Sequence, residues 1–337
     1  MGHERGGLIA TRSLITGGTG FIGSRLARAC VARGHQVTVL GQANTPAEAA
    51  NVQQLEAEGI RVVNASVAEP ASVRAAVRGV DLVFHLAAAQ HEMNVGDDHF
   101  RDVNVGGVRN VLDAALEAGV RRVVHGSTIG VYGSYEGVID EETPCRPDNI
   151  YGVTKLEGER LAASYADRLP VVIVRIPEVY GPGDRRLLKL FRAIQHRRFV
   201  RIGSGQNLHH PMYVDDLVAE LLTLSADSHA PGQILLLAGK DAVSTNEMID
   251  AIAAAVGARP PRIRVPLAPF LAAATMMELG LRPLGIQPPL HRRRMDFFRK
   301  GFTLKAARAA ALGAIAQTGF REGVRTTADW YRSAGLL

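Results

Sequence analysis

Cysteine is scarce in this 337-residue chain: it has two, Cys30 and Cys145. Two thiols build no disulfide framework, and neither stands at a metal-ligand spacing. Histidine is commoner, but His91, His99, His209 and His210 lack a spacing that fits a metal site with carboxylates or cysteines. No metal is therefore expected, and His85, at the end of an apolar run, reads as a packing residue. A long apolar segment is missing too. The longest apolar region, Pro266 to Leu281, contains prolines and Glu278 and falls short of a spanning helix of about 20 residues. The first residues, Met1 to Gly7, are polar and short, so no secretory signal is expected and a cytoplasmic location follows. Charge of one sign is not concentrated. The formal net charge is +6, but apart from Arg197-Arg198 and Arg292-Arg293-Arg294 the basic residues are scattered, which gives no sign of nucleic-acid binding. There is no internal repeat and no low-complexity segment.

What is present is an ordinary globular composition, 47% hydrophobic, on a chain long enough for a large domain or a main domain with a smaller partner. The organising stretch is Thr16-Gly17-Gly18-Thr19-Gly20-Phe21-Ile22-Gly23. It follows the apolar Leu14-Ile15, opens a helical segment over 24–33, and is succeeded by the strand-like Val37-Thr38-Val39-Leu40. Gly17, Gly20 and Gly23 let a backbone approach a pyrophosphate, and the helix start behind them offers free N–H groups to it. Between a strand and a helix this is a dinucleotide signal. Further strands are expected at 60–63, 80–86, 120–126 and 171–176, with helices at 46–58, 69–78, 98–118 and 151–169. That alternation predicts an α/β fold, a Rossmann-type doubly wound parallel sheet over 1–176. The pattern loosens after Pro177. A basic amphipathic helix over 185–196, a return strand near 233–237 and proline-broken helices to the end predict a smaller C-terminal substrate lobe over 177–337.

Tyr151-Gly152-Val153-Thr154-Lys155 places a tyrosine and a lysine at i and i+4, on one helix face. A free tyrosine has a pKa of about 10 and is a poor base at neutral pH. A neighbouring ammonium favours the phenolate, which then takes an alcohol proton while a hydride leaves the same carbon. Upstream, Ser127 and Thr128 stand at a strand's carboxyl end, where a hydroxyl either binds a substrate oxygen or caps a turn.

Together these pieces resemble an extended short-chain dehydrogenase/reductase of the NAD-dependent epimerase/dehydratase group. The matching stretches are TGGTGFIG at 16–23, HLAA at 85–88, VNVGGVRNVLDAA from Val103, GSTIGVYG at 126–133, YGVTK at 151–155, RIPEVYGPGD from Arg175 and MYVDDLV from Met212. The resemblance implies that Tyr151, Lys155 and Thr128 are catalytic, with Lys155 holding the nicotinamide ribose. It implies a cofactor bed of Gly17, Thr19, Gly20, Phe21, Ile22, Gly23, Ser66, Leu86, Ala87, Ala88, Asn104, Pro177 and Val179. It also implies a small-molecule substrate and a homodimer through the helices over 98–118 and 151–169.

Three departures qualify the resemblance. Gly41 and Gln42 stand where an acidic residue usually binds the adenosine ribose, and Ser66 where an aspartate is usual, so NAD and NADP both stay open, with a slight lean to NAD. Glu178 replaces an asparagine that contacts the diphosphate in nucleotide-sugar members, and His209-His210 stand where an arginine is common. A carboxylate repels a diphosphate. The substrate-side residues are then Thr128, Glu178 and His209. The region 266–298 and the tail from Arg321 to Tyr331 are similar to 3β-hydroxysteroid dehydrogenase-like members. The favoured expectation is a dehydrogenase on a bulky sterol-like or lipidic alcohol. The alternatives are a nucleotide-sugar 4-epimerase, a dehydratase, which Ile129 and Gly130 disfavour, and a silent NAD(P)-sensing protein. Arg292 to Arg294 beside Phe297 and Phe298 leave room for a peripheral membrane contact.

Overall fold

The computed structural model describes residues 10–90, 95–281, 295 and 297–337. His91, Arg292 to Arg294 and Asp296 lie outside them. Seven parallel strands make the central sheet: β1 (Arg12–Thr16), β2 (Gln36–Gly41), β3 (Arg61–Asn64), β4 (Leu82–His85), β5 (Arg122–Thr128), β6 (Val171–Ile176) and β7 (Ile234–Leu236). Their order is β7-β6-β5-β4-β1-β2-β3. The chain winds outward from β1 to β3, then returns to the other side of β1 at β4. The crevice at the carboxyl ends of β1 and β4 is therefore where a ligand fits. Register sets its floor: Thr16 lies beside His85, His85 beside His125, and Thr128 beside Ile176.

The helices are α1 (Phe21–Ala32), α2 (Pro46–Ala57), α3 (Pro70–Val77), α4 (Asp97–Arg101), α5 (Gly107–Glu117), α6 (Ile150–Ala163), α7 (Leu188–Gln195), α8 (Val214–Ala226), α9 (Thr245–Ala255), α10 (Ala268–Leu281), α11 (Ala307–Ala311) and α12 (Phe320–Ser333). Alternate strand residues face opposite layers, and both layers are apolar. Ile15, Val39, Phe84, Val124 and Val172 pack with Leu26 of α1 and Leu217 and Leu221 of α8. Leu14, Leu40, Val83, Val123 and Val171 pack with Val73 of α3, Val111 and Leu112 of α5 and Ala162 of α6.

The structure changes several expected boundaries, each for a local reason. The helix expected over 98–118 is α4 and α5 joined by a π turn, Asp102–Gly106. The extra residue brings the Asn104 carbonyl so close to α6 that a Cβ on Gly158 would lie 2.4 Å from it. The helix expected to reach 169 ends at Ala163, where the Ser164 hydroxyl donates back to the Leu161 carbonyl at 2.7 Å. The helix expected from 185 starts at Leu188, because Asp184 Oδ1 accepts the Arg186 N–H at 2.8 Å and turns the chain.

Within 177–337 the return strand is found, at Ile234–Leu236. This β7, with α8 and α11, returns to the central sheet's layer. The rest gathers α7, α9 and α12 around Phe191, Ile249, Ile252, Val324 and Tyr331. A capping box of Ser244 and Glu247 starts α9. Among the described residues no helix is long and apolar enough to cross a membrane. In α10 only Ala274 is buried, and Met276 and Leu279 are exposed.

Candidate active site

The three glycines of the first turn have different reasons to be glycine. Gly17 has φ +68°, and a Cβ there would sit 2.7 Å from the Ala87 nitrogen. A Cβ on Gly23 would sit 2.3 Å from the Gly17 carbonyl oxygen, so α1 could not close on β1. Both are demanded by packing. Gly20 is not: a Cβ there would meet no protein atom nearer than the Gly17 oxygen at 3.3 Å. It would instead project into the groove. Gly20 caps α1 with no side-chain hydrogen bond, so the first N–H groups of the helix stay open for an anion. A bare cradle at a helix start fits a dinucleotide's pyrophosphate.

Two cavities meet at this cradle, sharing Gly17, Gly20, Leu86 and Ala88. One, of about 210 Å³, runs toward β2 and β3 past Thr19, Gly41, Gln42, Ser66 and Ala87. The other, of about 290 Å³, runs over Phe21, Ile22 and Gly23 to Thr128, Tyr151, Lys155, Pro177 and Val179. Together they form one groove along the strand ends. Asn104 is not on its surface. It is 1% exposed and ties the loop after β4 to α6, accepting from the Ala89 N–H at 2.8 Å and donating to Thr154 Oγ1 at 3.0 Å. Its place is behind the groove rather than along a cofactor.

The unusual Gly41 has a steric cause. A Cβ there would lie 2.5 Å from Thr19 Oγ1. The threonine fills the space where a side chain at 41 would start, and its hydroxyl donates to the Gln42 carbonyl at 2.8 Å. Neither lysine nor arginine is among the described residues lining this end, and Glu48 is. A 2′-phosphate would find no cation there.

At the other end Tyr151 is half-buried in the cavity wall. Burial pushes its pKa up, while a hydrogen bond with Thr128 and the charge of Arg186 pull it back. Lys155 does not hydrogen-bond Tyr151. The residue is 3% exposed, its Nζ donates to the Gly126 carbonyl at 2.5 Å, and burial lowers its pKa to about 8 although Glu159 opposes this. Arg186, from the loop after Pro182, lines the same cavity, and its charge favours the Tyr151 phenolate. Thr128 also caps the turn that follows, accepting from the Gly130 N–H at 3.1 Å.

A buried network stands behind Thr128. Ser127 donates to Glu159 Oε2 at 2.7 Å, and Arg175 grips both Glu159 oxygens, at 3.1 Å and 2.6 Å. The remaining Arg175 nitrogen donates to the Tyr132 hydroxyl at 2.8 Å. Beside Lys155, the rings of His85 and His125 stack at 5.3 Å. His85 Nδ1 bonds Thr16 Oγ1 at 2.7 Å, but its Nε2 and both nitrogens of His125 find no partner among the described residues. Burial keeps both rings neutral, His85 with a pKa lowered to about 3.

Glu178 and His209, expected on the substrate side, line a neighbouring cavity with Tyr135, Phe297, Lys300 and Phe302. Glu178 is open to solvent but walled by protein, which raises its carboxyl pKa against the pull of Arg186. His209 is 3% exposed, stacks on Phe297 at 4.3 Å and bonds Thr245 Oγ1 at 3.0 Å; burial lowers its pKa to about 4. It does not carry the charge of the arginine it replaces. Among the described residues no cluster of three or more His, Cys, Asp or Glu could hold a metal ion.

The profile of the NAD dependent epimerase/dehydratase family matches residues 13–238. The chain belongs to this family. It is an NAD-dependent enzyme, and the groove at Gly20 is of the right kind for that cofactor. Among curated relatives, 2-alkyl-3-oxoalkanoate reductase of Stenotrophomonas maltophilia is 31% identical over 262 residues, covering 74% of this chain and 76% of that one. The 3 beta-hydroxysteroid dehydrogenase/Delta 5-->4-isomerase of Mycobacterium tuberculosis is 30% identical over 272 residues, covering 75% and 72%. Among solved structures, MoeE5 in complex with UDP-glucuronic acid and NAD is 28% identical, with TM-score 0.75 over 96% of this chain and 99% of that one. The extended short-chain dehydrogenase/reductase resemblance read from the motifs is thereby confirmed.

Sequence reading missed Arg186, Glu159 and Arg175. In the sequence Arg175 shows only as the start of the RIPEVYGPGD stretch. Arg186 had a signal, an arginine two residues after an aspartate in a glycine–proline turn, but nothing said which way it faced.

Proposed function

We propose that this enzyme oxidises and reduces a secondary alcohol carbon held against Tyr151 and Thr128. One observation carries the reading: Tyr151, Thr128 and Lys155 open onto the same groove as the bare Gly20 cradle. In this reading Gly20, Phe21, Ile22 and Gly23 take the pyrophosphate, and Thr19, Gln42 and Ser66 border the adenosine. Leu86, Ala87 and Ala88 run beneath the cofactor, and Lys155, Pro177 and Val179 bound the nicotinamide end. NAD, when bound, supplies the hydride acceptor. Tyr151 removes the hydroxyl proton, aided by the Thr128 hydroxyl and the Arg186 charge. Lys155, fixed on the Gly126 carbonyl, positions the ribose side. Asn104 holds the loop and helix that frame them.

For the substrate, the first reading is a nucleotide sugar, with the hydride returned to the other face in a 4-epimerisation. The solved structure at 28% identity that holds UDP-glucuronic acid and NAD supports it. A second reading, a sterol-like or acyl-chain alcohol oxidised outright, is favoured by the subsite. Glu178 is a carboxylate and His209 is held neutral, which leaves Lys300 as the one cation among the described residues lining that cavity, and two curated relatives act on such compounds by name. A panel of nucleotide sugars, hydroxysteroids and 3-hydroxy acids, read at the reduced-nicotinamide absorbance and by product chromatography, separates the two. Sugar inversion without net reduction selects the first, and net reduction without inversion the second. Tyr151→Phe should lower turnover about 10²–10⁴-fold and leave NAD affinity within about threefold. An unchanged rate would sink the mechanism.

A further inference from the structure

Arg186 lines the catalytic cavity with Tyr151, and its guanidinium is only partly used. Nε donates to Asp184 Oδ1 at 2.9 Å, and Nη2 donates to Asp184 Oδ2 at 3.0 Å and to the Val179 carbonyl. Nη1 bonds no acceptor among the described residues. The anchor is firm. Asp184 is 1% exposed, and its own carbonyl accepts the Tyr331 hydroxyl at 2.6 Å. The Arg186 side chain, by contrast, is 55% exposed, because it faces the open cavity. Glu178 stands close enough for its charge to act on Arg186, yet no ion pair joins them. So the nearest remaining carboxylate leaves the free nitrogen unfilled.

An arginine fixed along one edge, with two N–H groups left over on Nη1, is a receptor for an anionic oxygen. We propose that Arg186 binds a carboxylate of the substrate, so that the substrate is a secondary alcohol or ketone that also carries an acid group near the reacting carbon. This rests on the reading that places the reacting alcohol at Tyr151. Position and sign agree with it. Arg186 and Tyr151 line one cavity, so an acid held on Nη1 enters the same cavity as the reacting alcohol. The neighbouring cavity presents Phe297 and Phe302 beside Glu178 and Lys300, so the body of the substrate turns that way once its acid is held on Arg186. The same nitrogen has the chemistry to take a cofactor phosphate, and the test separates the two sources.

The full-length protein loaded with NAD is titrated by calorimetry with two matched pairs: 3-hydroxydecanoate against its primary amide, and methyl glucuronoside against its amide. The wild type should bind the acid at least about tenfold more tightly than the amide in one pair, the worth of a charge-assisted bond. Arg186→Gln should erase that preference with amide and NAD affinities unchanged, and Arg186→Lys should keep part of it. Equal affinity for acid and amide in both pairs, or no binding of any of the four, overturns the proposal. So does a tenfold loss of NAD affinity in Arg186→Gln, which would give the nitrogen to the cofactor. Tyr151→Phe should keep the acid preference. If that variant also keeps full turnover, the proposed mechanism falls while the receptor stands.

Discussion

The wall behind Thr128 and the floor in front of Tyr151 are each built on an arginine gripping a carboxylate with two nitrogens. In the wall, Arg175 and Glu159 have side chains 5% and 3% exposed, and the third arginine nitrogen goes to Tyr132. In the floor, Asp184 is buried but Arg186 is open, and its third nitrogen bonds nothing among the described residues. The same pair of groups serves two ends. Closed on all sides it holds β6 to α6, and left open along one edge it presents a charge to whatever enters.

The comparison breaks most plainly at Glu159. Glu159→Ala leaves Arg175 buried without its counter-charge, and such a loss costs about 3–5 kcal/mol. Denaturant midpoints should show it. A loss under about 1 kcal/mol would mean that the wall does not depend on the pair, and that the contrast with the floor is one of exposure alone. Arg186 lies outside this network and is open along one edge, and Asp184 keeps the Arg186 backbone N–H, so Arg186→Gln should cost less than Glu159→Ala in the same assay, about 1–3 kcal/mol for the buried carboxylate left behind.

A smaller effect probes the one flaw in the wall, the stacked His85 and His125. Both are held neutral by burial beside Lys155, which places their folded pKa values below the ordinary 6.5. The unfolded chain takes up those protons as pH falls through about 6.5, and the folded chain does not until much lower, about 3 for His85. Stability therefore falls as pH drops below about 6.5. His125→Phe removes one of the two groups and two unpartnered nitrogens. It should be at least as stable at pH 7 and gain on the wild type between pH 7 and 5. Parallel stability curves over that interval would show that His125 does not contribute to the acid sensitivity.

What the sequence made legible follows from the range of the interactions. The alternation of strands and helices, the three glycines and the Tyr151–Lys155 face are written within a few residues of each other, and each is visible as a spacing. Glu159 and Arg175 sit on a helix and a strand and meet only when β5, β6 and α6 are assembled, so no spacing marks them. The π turn at Asp102–Gly106 inserts one residue into a helix without changing its apolar pattern. Gly41 looked like a missing acid, and only the packing showed Thr19 filling the space in which a side chain would start. Lys155 was expected to act on Tyr151 because i and i+4 share a face, but Gly126 competes for its nitrogen, and that carbonyl lies on a strand far away in sequence.

The finest division runs between two neighbours. Ser127 is 4% exposed and donates to Glu159, so it belongs to the wall, whereas Thr128 is half-exposed to the cavity beside Tyr151. Ser127→Ala removes a buried bond to a charged group and should cost about 1–2 kcal/mol in a denaturant titration while leaving kcat within about threefold. Thr128→Ala loses only a cap on a short turn, about 0.5–1 kcal/mol, but it removes the hydroxyl that bonds Tyr151 and that, in the proposed reading, meets the substrate oxygen, and kcat should fall at least about tenfold. The ratio of the two effects, rather than either alone, locates the boundary. If Ser127→Ala slows turnover more than Thr128→Ala does, the reacting oxygen lies against Ser127, and the catalytic surface begins one residue deeper in β5.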